Sequence, residues 1–150
     1  MSYFVFGLID LADIDTAGQI RARVSFDELN VIWGAQINQQ TLFEMLGRDI
    51  PDRSVPFLLT KWVSEDTSDS LVSPYVAGVE ASADSFAVIG RWLVAVLASP
   101  EVERVRVWMT EGYETAFKNL DLSAQQFAAE LKHRVLAEGD VPSLRVTVAR

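Results

Sequence analysis

The first part of the chain alternates hydrophobic and polar residues in a way that predicts two strands. Residues 3–11 form a nearly continuous apolar run rich in aromatic and branched side chains, which is typical of a strand buried on both faces. In residues 20–26, hydrophobic positions alternate with arginine and serine, which predicts a strand with one solvated face. Residues 12–19 between them contain aspartate, threonine and glycine, which favour turns, so we expect a hairpin.

Two longer helices are indicated by residues that commonly cap helix ends. Ser82 or Asp84 can cap a helix over residues 84–98, which Pro100 then stops. A helix over residues 123–138 begins with a capping-box pattern, in which a serine is followed three positions later by a glutamine. A glycine directly after this segment favours its end there.

The remaining segments complete an alternation of strands and helices. A short helix is predicted over residues 38–46, and residues 31–33 fit either a strand or the start of a helix. Further strands are predicted at residues 55–63, 71–79, 103–109 and 144–148. Three of the strands have one polar face, which favours a mixed or mostly antiparallel sheet. We therefore predict a two-layer α+β sandwich, in which helices cover one face of the sheet.

The composition indicates one folded domain without thiol chemistry. The 150 residues are 49% hydrophobic and 23% charged, which suits a single domain over residues 1–150. The chain has no cysteine, which excludes disulfides, thiolate catalysis and cysteine-ligated metals and is compatible with a reducing cytoplasm. No secretory signal is evident, and the most apolar stretch is too short to span a bilayer. We therefore expect a soluble, cytoplasmic protein.

The balance of charged residues is strongly acidic. Against 13 basic residues there are 21 acidic ones, which gives a net charge of −8 and a pI near 4.6. Such a field repels nucleic acids and anionic membranes and attracts basic protein surfaces, although it also promotes solubility alone. We predict that the partner is another protein, with no nucleic acid and no membrane involved, and the sequence leaves the oligomeric state open.

Residues that commonly serve catalysis or metal binding are sparse. His133 is the only histidine, and helical spacing places it opposite the apolar face of its helix, in solvent. Asp10, Asp13 and Asp15 are close in sequence but lack the spacing of a calcium-binding loop, and an Asp-rich turn explains them better. No glycine-rich phosphate-binding motif occurs. We predict no metal and no cofactor.

The residues after the strand at 103–109 keep a catalytic alternative open. Glu111, Tyr113 and Glu114 follow that strand, and paired carboxylates at a strand end can carry out acid–base chemistry. The chain would then be a small enzyme or a small-molecule-binding domain. As solvated carboxylates, they would instead steer a basic partner toward the protein. The acidic residues with this expected role are Glu65, Asp66, Asp69, Glu111 and Glu114.

A second candidate surface is formed by alternate residues of the strand at 103–109. Arg104, Arg106 and Trp108 occupy its polar positions, so their side chains are expected on one face of the sheet. Arginine and tryptophan are enriched at binding hot spots, which favours a protein-docking face. Alternatively, the arginines pair with nearby carboxylates such as Glu101 and Glu103. The same face is expected to include Arg21, Arg23 and Arg145.

The helix predicted at 84–98 is apolar in nearly every direction. Such a helix is either the central element of the core or in part a protein interface. In the second case the chain would be a structural subunit of a homo-oligomer. Its one interior charge, Arg91, either reaches the surface or pairs with a carboxylate. Taken with the missing nucleophile and the acidic charge, the sequence favours a small non-catalytic protein-binding module. The class expected is an inhibitor or an immunity- or antitoxin-type protein that neutralises its partner.

Overall fold

The computed structural model describes residues 2–24, 29–34, 50–61, 79–110, 117–137 and 143–150. Within these ranges the chain forms one mixed sheet with helices on one face, which confirms the predicted α+β sandwich. The strands are β1 (Ser2–Leu11), β2 (Leu29–Trp33), β3 (Ser54–Lys61), β4 (Val79–Glu80), β5 (Val102–Thr110), β6 (Lys118–Ser123) and β7 (Leu144–Ala149). The helices are α1 (Ala17–Arg23), α2 (Ala83–Leu97) and α3 (Ala124–Leu131), and α3 continues as a π-helical segment, Lys132–Ala137.

β1 lies in the middle of the sheet. The strand order is β2-β3-β1-β5-β7-β6, and the short β4 pairs with the start of β1. Neighbouring strands are antiparallel except β6 and β7, which are parallel. β1 therefore has a strand along each edge, and its side chains are buried on both faces. This burial explains why residues 3–11 are almost continuously apolar, as the sequence predicted.

The larger hydrophobic core lies between the sheet and the helices. α2 begins at Ser82, whose side chain accepts a hydrogen bond from the amide of Ser85, and it buries one side against the sheet. At its centre, the ring of Trp92 lies 4.9 Å from the ring of Phe57 on β3. α2 is thus the core element that its apolar sequence favoured, while Arg91 on its outer side is exposed. Among the described helices, none combines the length and the apolar content needed to cross a membrane.

A smaller apolar cluster occupies the centre of the opposite face of the sheet. It consists of Phe6, Leu8, Ile32, Leu58 and Trp108, all buried. The rings of Phe6 and Trp108 are stacked, with centroids 6.0 Å apart. This face is therefore less solvated than the alternation of polar residues predicts, because four neighbouring strands each place large apolar side chains at its centre.

The strand predicted at 20–26, and with it the first hairpin, is wrong. Asp13 accepts a hydrogen bond from the amide of Asp15 and starts a 3-10 turn that leads directly into α1. Ile20 and Val24 are both buried and stand four residues apart, a spacing that fits one face of a helix as well as one face of a strand. The edges of β1 are instead occupied by the distant strands β3 and β5.

The remaining elements largely follow the sequence. The strands predicted at 55–63, 103–109 and 144–148 are β3, β5 and β7, and residues 31–33 belong to a strand, β2. β6 was not expected, because its only apolar side chains are the two leucines that face the core. The helix predicted at 38–46 lies outside the described residues, as does the segment 71–79 apart from Val79.

Candidate functional site

Arg104, Arg106 and Trp108 lie on the same face of β5, as the alternation predicts. The pairing register sets Arg104 opposite Asp10 of β1, and sets Asp10 opposite Ser54 of β3. Alternate residues of a strand point to the same side, so these groups share the face that is not covered by α2 and α3. The polar members gather beside the apolar cluster, at the end of the sheet where β1 finishes.

Asp10 is the carboxylate that both arginines share. The Nε of Arg104 donates to Oδ2 of Asp10 at 2.8 Å, and Nη2 of Arg106 donates to Oδ1 at 2.7 Å. The hydroxyl of Ser54 donates to the same Oδ1 at 2.5 Å. In the described residues neither Glu101 nor Glu103 pairs with Arg104 or Arg106, although the sequence suggested them; Glu101 instead pairs with Arg23, whose Nη1 lies 3.9 Å from its Oε2. The sequence does contain a sign of this pairing: Asp10 is the one carboxylate in the apolar run 3–11, and a buried charge needs a partner because an unpaired one is costly.

The environment of Asp10 favours its ionised form. Burial alone would raise the pKa of this carboxyl group, but hydrogen bonds from Arg106, Ser54 and Arg104 stabilise the carboxylate more strongly. The pKa of Asp10 is therefore lowered from its ordinary value. At neutral pH one carboxylate stands between two guanidinium groups, so the cluster retains one excess positive charge.

Most of this cluster is inaccessible to a partner. The side chain of Arg104 is 51% exposed, that of Arg106 is 15% exposed, and Trp108 is 3% exposed. Trp108 therefore packs within the apolar cluster, and the guanidinium of Arg106 lies 5.9 Å from the centre of its ring. Within the described part of the chain, Nε of Arg106 is buried without a hydrogen-bond partner. The geometry fits a structural link between β1, β3 and β5, with Arg104 as its accessible member.

The other predicted members of the arginine face are dispersed. Arg21 and Arg23 belong to α1, so their expected place on a strand is wrong, and Arg21 lies 5.7 Å from the ring centre of Trp33. Arg145 does lie on the strand face, where its Nε donates to Oδ1 of Asn119 at 2.8 Å. His133 occupies an exposed position, as helical spacing predicts. No group of three metal-ligating side chains occurs among the residues that the structure describes.

The other predicted site residues, five acidic residues and one tyrosine, lie outside the described residues, but strand ends that flank them are described. They are Glu65, Asp66, Asp69, Glu111, Tyr113 and Glu114. β3 finishes at Lys61 and β5 at Thr110, both antiparallel to β1, so these ends lie where β1 begins. Three more strands begin at this end. β2 does so because it is antiparallel to β3, and β7 because it is antiparallel to β5. β6 is parallel to β7 and therefore also begins here.

Four chain segments therefore connect to this one end of the sheet: residues 25–28, 62–78, 111–116 and 138–142. They hold nine of the 21 acidic residues of the chain and no lysine, arginine or histidine. These acidic residues are Asp27, Glu28, Glu65, Asp66, Asp69, Glu111, Glu114, Glu138 and Asp140. We call this the acidic end of the sheet. Two of the strand-end residues there, Lys61 and Lys118, are basic in sequence.

A groove opens beside the acidic end, where the start of β2, β4 and the first turns of α2 meet. Its volume is about 250 Å³. The lining residues are Leu29, Val79, Glu80, Ser82, Asp84, Ser85 and Val88. Three of these side chains are apolar, and the two carboxylates, Glu80 and Asp84, are exposed at its surface.

The described geometry thus offers an ion-pair cluster around Asp10 at one end of the sheet and, at the other end, a groove that carries two carboxylates. Comparison of the chain with protein-family models, with curated proteins and with solved structures finds no match.

Proposed function

We propose that this protein is a small acidic protein-binding module that neutralises a partner protein in the cytoplasm, in the manner of an inhibitor or an immunity-type protein. The observation that carries the proposal is that four sequence segments, which hold nine acidic residues and no basic ones, join described strands at one end of the sheet. Charge that is scattered evenly along a chain mainly promotes solubility, whereas charge gathered at one end creates a directional field. Such a field attracts a partner with a basic surface and orients it during approach.

The acidic end has a size that suits a protein partner. Neighbouring strands lie about 4.8 Å apart, so the path of six strands is roughly 24 Å wide at its end. A standard interface covers about 800 Å² on each partner, which corresponds to a patch roughly 30 Å across. The two widths are comparable. Electrostatic steering of this kind raises association rates by about 10- to 1,000-fold at low salt.

The test is capture of the partner with a tagged chain in its native cells, followed by binding kinetics with the purified partner. We expect one stoichiometric, basic partner whose association slows as salt is added. Substituting Glu65→Gln, Asp66→Asn and Asp69→Asn together should lower the association rate at low salt by about tenfold. The dissociation rate should change less, because steering acts mainly on the encounter.

A matched control removes the same charge from the other end of the sheet. Asp15, Asp52 and Glu103 are exposed and lie away from the acidic end. Their triple replacement by the corresponding amides should change the association rate by less than about threefold. Equal effects of the two triple variants would contradict a directional acidic surface. Turnover of a small molecule that Glu111→Gln abolishes would favour the enzyme alternative, and a stable homo-oligomer without a partner would favour the structural alternative.

A further inference from the structure

The groove beside the acidic end combines an apolar floor with two carboxylates. Leu29, Val79 and Val88 supply the apolar part, while Glu80 and Asp84 stand at its exposed edge. Its volume of about 250 Å³ is below the roughly 300–1,000 Å³ of pockets that hold drug-sized ligands. The space therefore suits a single long side chain better than a whole small molecule.

We propose that this groove receives a lysine or arginine side chain from the centre of the partner's basic surface. The inference rests on the proposed function, which supplies the partner, and adds where one of its residues is bound. Lysine and arginine have an apolar stem that packs on hydrophobic surface and a charged head that remains near water or a carboxylate. That pattern matches the floor and the edge of the groove.

The two carboxylates are available for such a side chain. Neither Glu80 nor Asp84 forms an ion pair with any residue in the described ranges. The two serines of the groove are engaged with each other instead, since Oγ of Ser82 donates to Oγ of Ser85 at 3.0 Å and accepts from the amide of Ser85 at 3.1 Å. The accessible charge in the groove is thus negative.

The N-terminus of α2 works against a cation at this place, but it is the weaker effect. A helix N-terminus carries the equivalent of about half a positive charge. Asp84 in the first turn and the capping hydroxyl of Ser82 already compensate much of it. The two full negative charges of Glu80 and Asp84 therefore exceed the charge of the helix N-terminus.

The direct test uses small probes in place of the unidentified partner. Isotope-labelled protein is titrated with N-acetyl-arginine amide, N-acetyl-lysine amide and the uncharged N-acetyl-norleucine amide, and amide chemical shifts are followed by NMR. We expect saturable shifts at residues 79–88 with both basic probes, in a roughly millimolar range of Kd, and much weaker shifts with norleucine. Equal binding of the uncharged probe, shifts confined to other regions, or no saturation would overturn the proposal.

Matched double variants separate the groove from general charge. Glu80→Gln with Asp84→Asn should weaken the basic probes by about five- to tenfold, since each exposed ion pair contributes a factor of about two to four. Glu103→Gln with Asp121→Asn removes the same charge from exposed positions at the far end of β5 and β6 and should leave the Kd within about twofold. Thermal unfolding of both variants confirms that they are folded.

The groove and the proposed function can fail separately. If a partner is captured and the Glu80/Asp84 double variant binds it as tightly as the unchanged chain does, the groove assignment is wrong and the binding function stands. If the groove takes the basic probes but no protein is captured stoichiometrically, the proposed function is wrong. In that case the groove is a site for a basic side chain without the neutralising role.

Discussion

At Gly7 the sheet leaves no room for a side chain. A Cβ atom there would overlap the carbonyl oxygen of Arg106 and would lie 2.7 Å from Cζ of Phe57. β1 is held by pairing on both edges, so its backbone has little freedom to move away. The glycine thus permits the close approach of strand, backbone and aromatic ring at the centre of the core.

The first prediction compares the same substitution, glycine to alanine, at two positions of the chain. Gly7→Ala should lower the free energy of unfolding by about 3 kcal/mol or more, because backbone and ring must both shift. Gly18→Ala should raise it by roughly 0.5–1 kcal/mol, because Gly18 lies in α1, where an added methyl group would meet no atom within 4 Å and alanine favours the helix. Urea unfolding measures both, and similar values would contradict the packing described at Gly7.

Asp10 holds the ion-pair cluster together, which gives the second prediction. Asp10→Asn should reduce the free energy of unfolding at pH 7 by about 2–4 kcal/mol, because it leaves the partly buried guanidinium of Arg106 without its counter-charge. Arg104→Gln should cost less than about 1 kcal/mol, since its side chain is half exposed. Chemical denaturation checks the order, and a larger loss from Arg104→Gln would contradict it.

The third prediction concerns how the free energy of unfolding depends on pH, and it follows from the lowered pKa of Asp10. A carboxyl group whose pKa is lower in the folded state stabilises the fold above its unfolded pKa of about 3.9 and loses that effect as the pH falls through the folded pKa. The stability difference between the unchanged chain and Asp10→Asn should therefore be constant from pH 7 to about pH 5. It should shrink below about pH 4, as measured by denaturation at each pH. A difference that grows on acidification would contradict the assigned direction.

At the scale of elements, α1 shows where local pattern is ambiguous. Ile20 and Val24 satisfy a helical period and a strand period, so the hydrophobic spacing does not choose between them. The choice depends on the sheet, because β1 already has β3 and β5 along its edges. Ile20 then fills a position over Ile9 and Val55 as part of a short helix.

The end of α2 is held by Arg150, which gives the fourth prediction. Its Nε donates to the carbonyl of Leu97 at 2.7 Å, and its Nη2 donates to the carbonyls of Ser99 at 2.6 Å and Val102 at 2.8 Å. The carbonyls of Leu97 and Ser99 lie at and just beyond the C-terminus of α2, where acceptors lack intrahelical donors and a cation is favoured, and that of Val102 lies at the start of β5.

Arg150→Met should therefore lower the free energy of unfolding by about 1–3 kcal/mol. Arg145→Met is the matched control, because Arg145 makes an exposed hydrogen bond to Asn119, and it should cost less than about 1 kcal/mol. Thermal or urea unfolding distinguishes the two. Equal losses would mean that the contacts at the end of α2 contribute no more than a surface hydrogen bond.

Most of the helices and strands could be predicted from the sequence. The capping box at Ser123 and the cap at Ser82 mark the starts of α3 and α2, because capping depends on residues within one helical turn. The alternation in β5 and β7 identified their core faces correctly. β6 was missed because its two leucines are too few to mark a period.

For the whole molecule, the proposed acidic end gives the fifth prediction. Carboxylates that lie close together repel one another, and salt screens that repulsion. Glu111→Gln with Glu114→Gln should raise the stability at low salt by a few tenths to about 1 kcal/mol and reduce its dependence on salt. Asp52→Asn with Glu103→Gln, at the other end, should have a smaller effect. Unfolding at low and high ionic strength measures this, and equal effects would contradict the charge asymmetry.

The α+β sandwich, the starts of α2 and α3, the lack of cysteine and the acidic balance all follow from the amino-acid sequence. Periodicity and caps are properties of short segments, and composition is a property of the whole chain. The pairing of Asp10 with Arg104 and Arg106, which lie 94 and 96 positions away, and the burial of Trp108 are visible only once the chain is folded. The strand order also places the strand ends that the acidic segments join at one end of the sheet. These outcomes depend on which distant strands pair, and pairing is set by the packing of the complete core rather than by any local pattern.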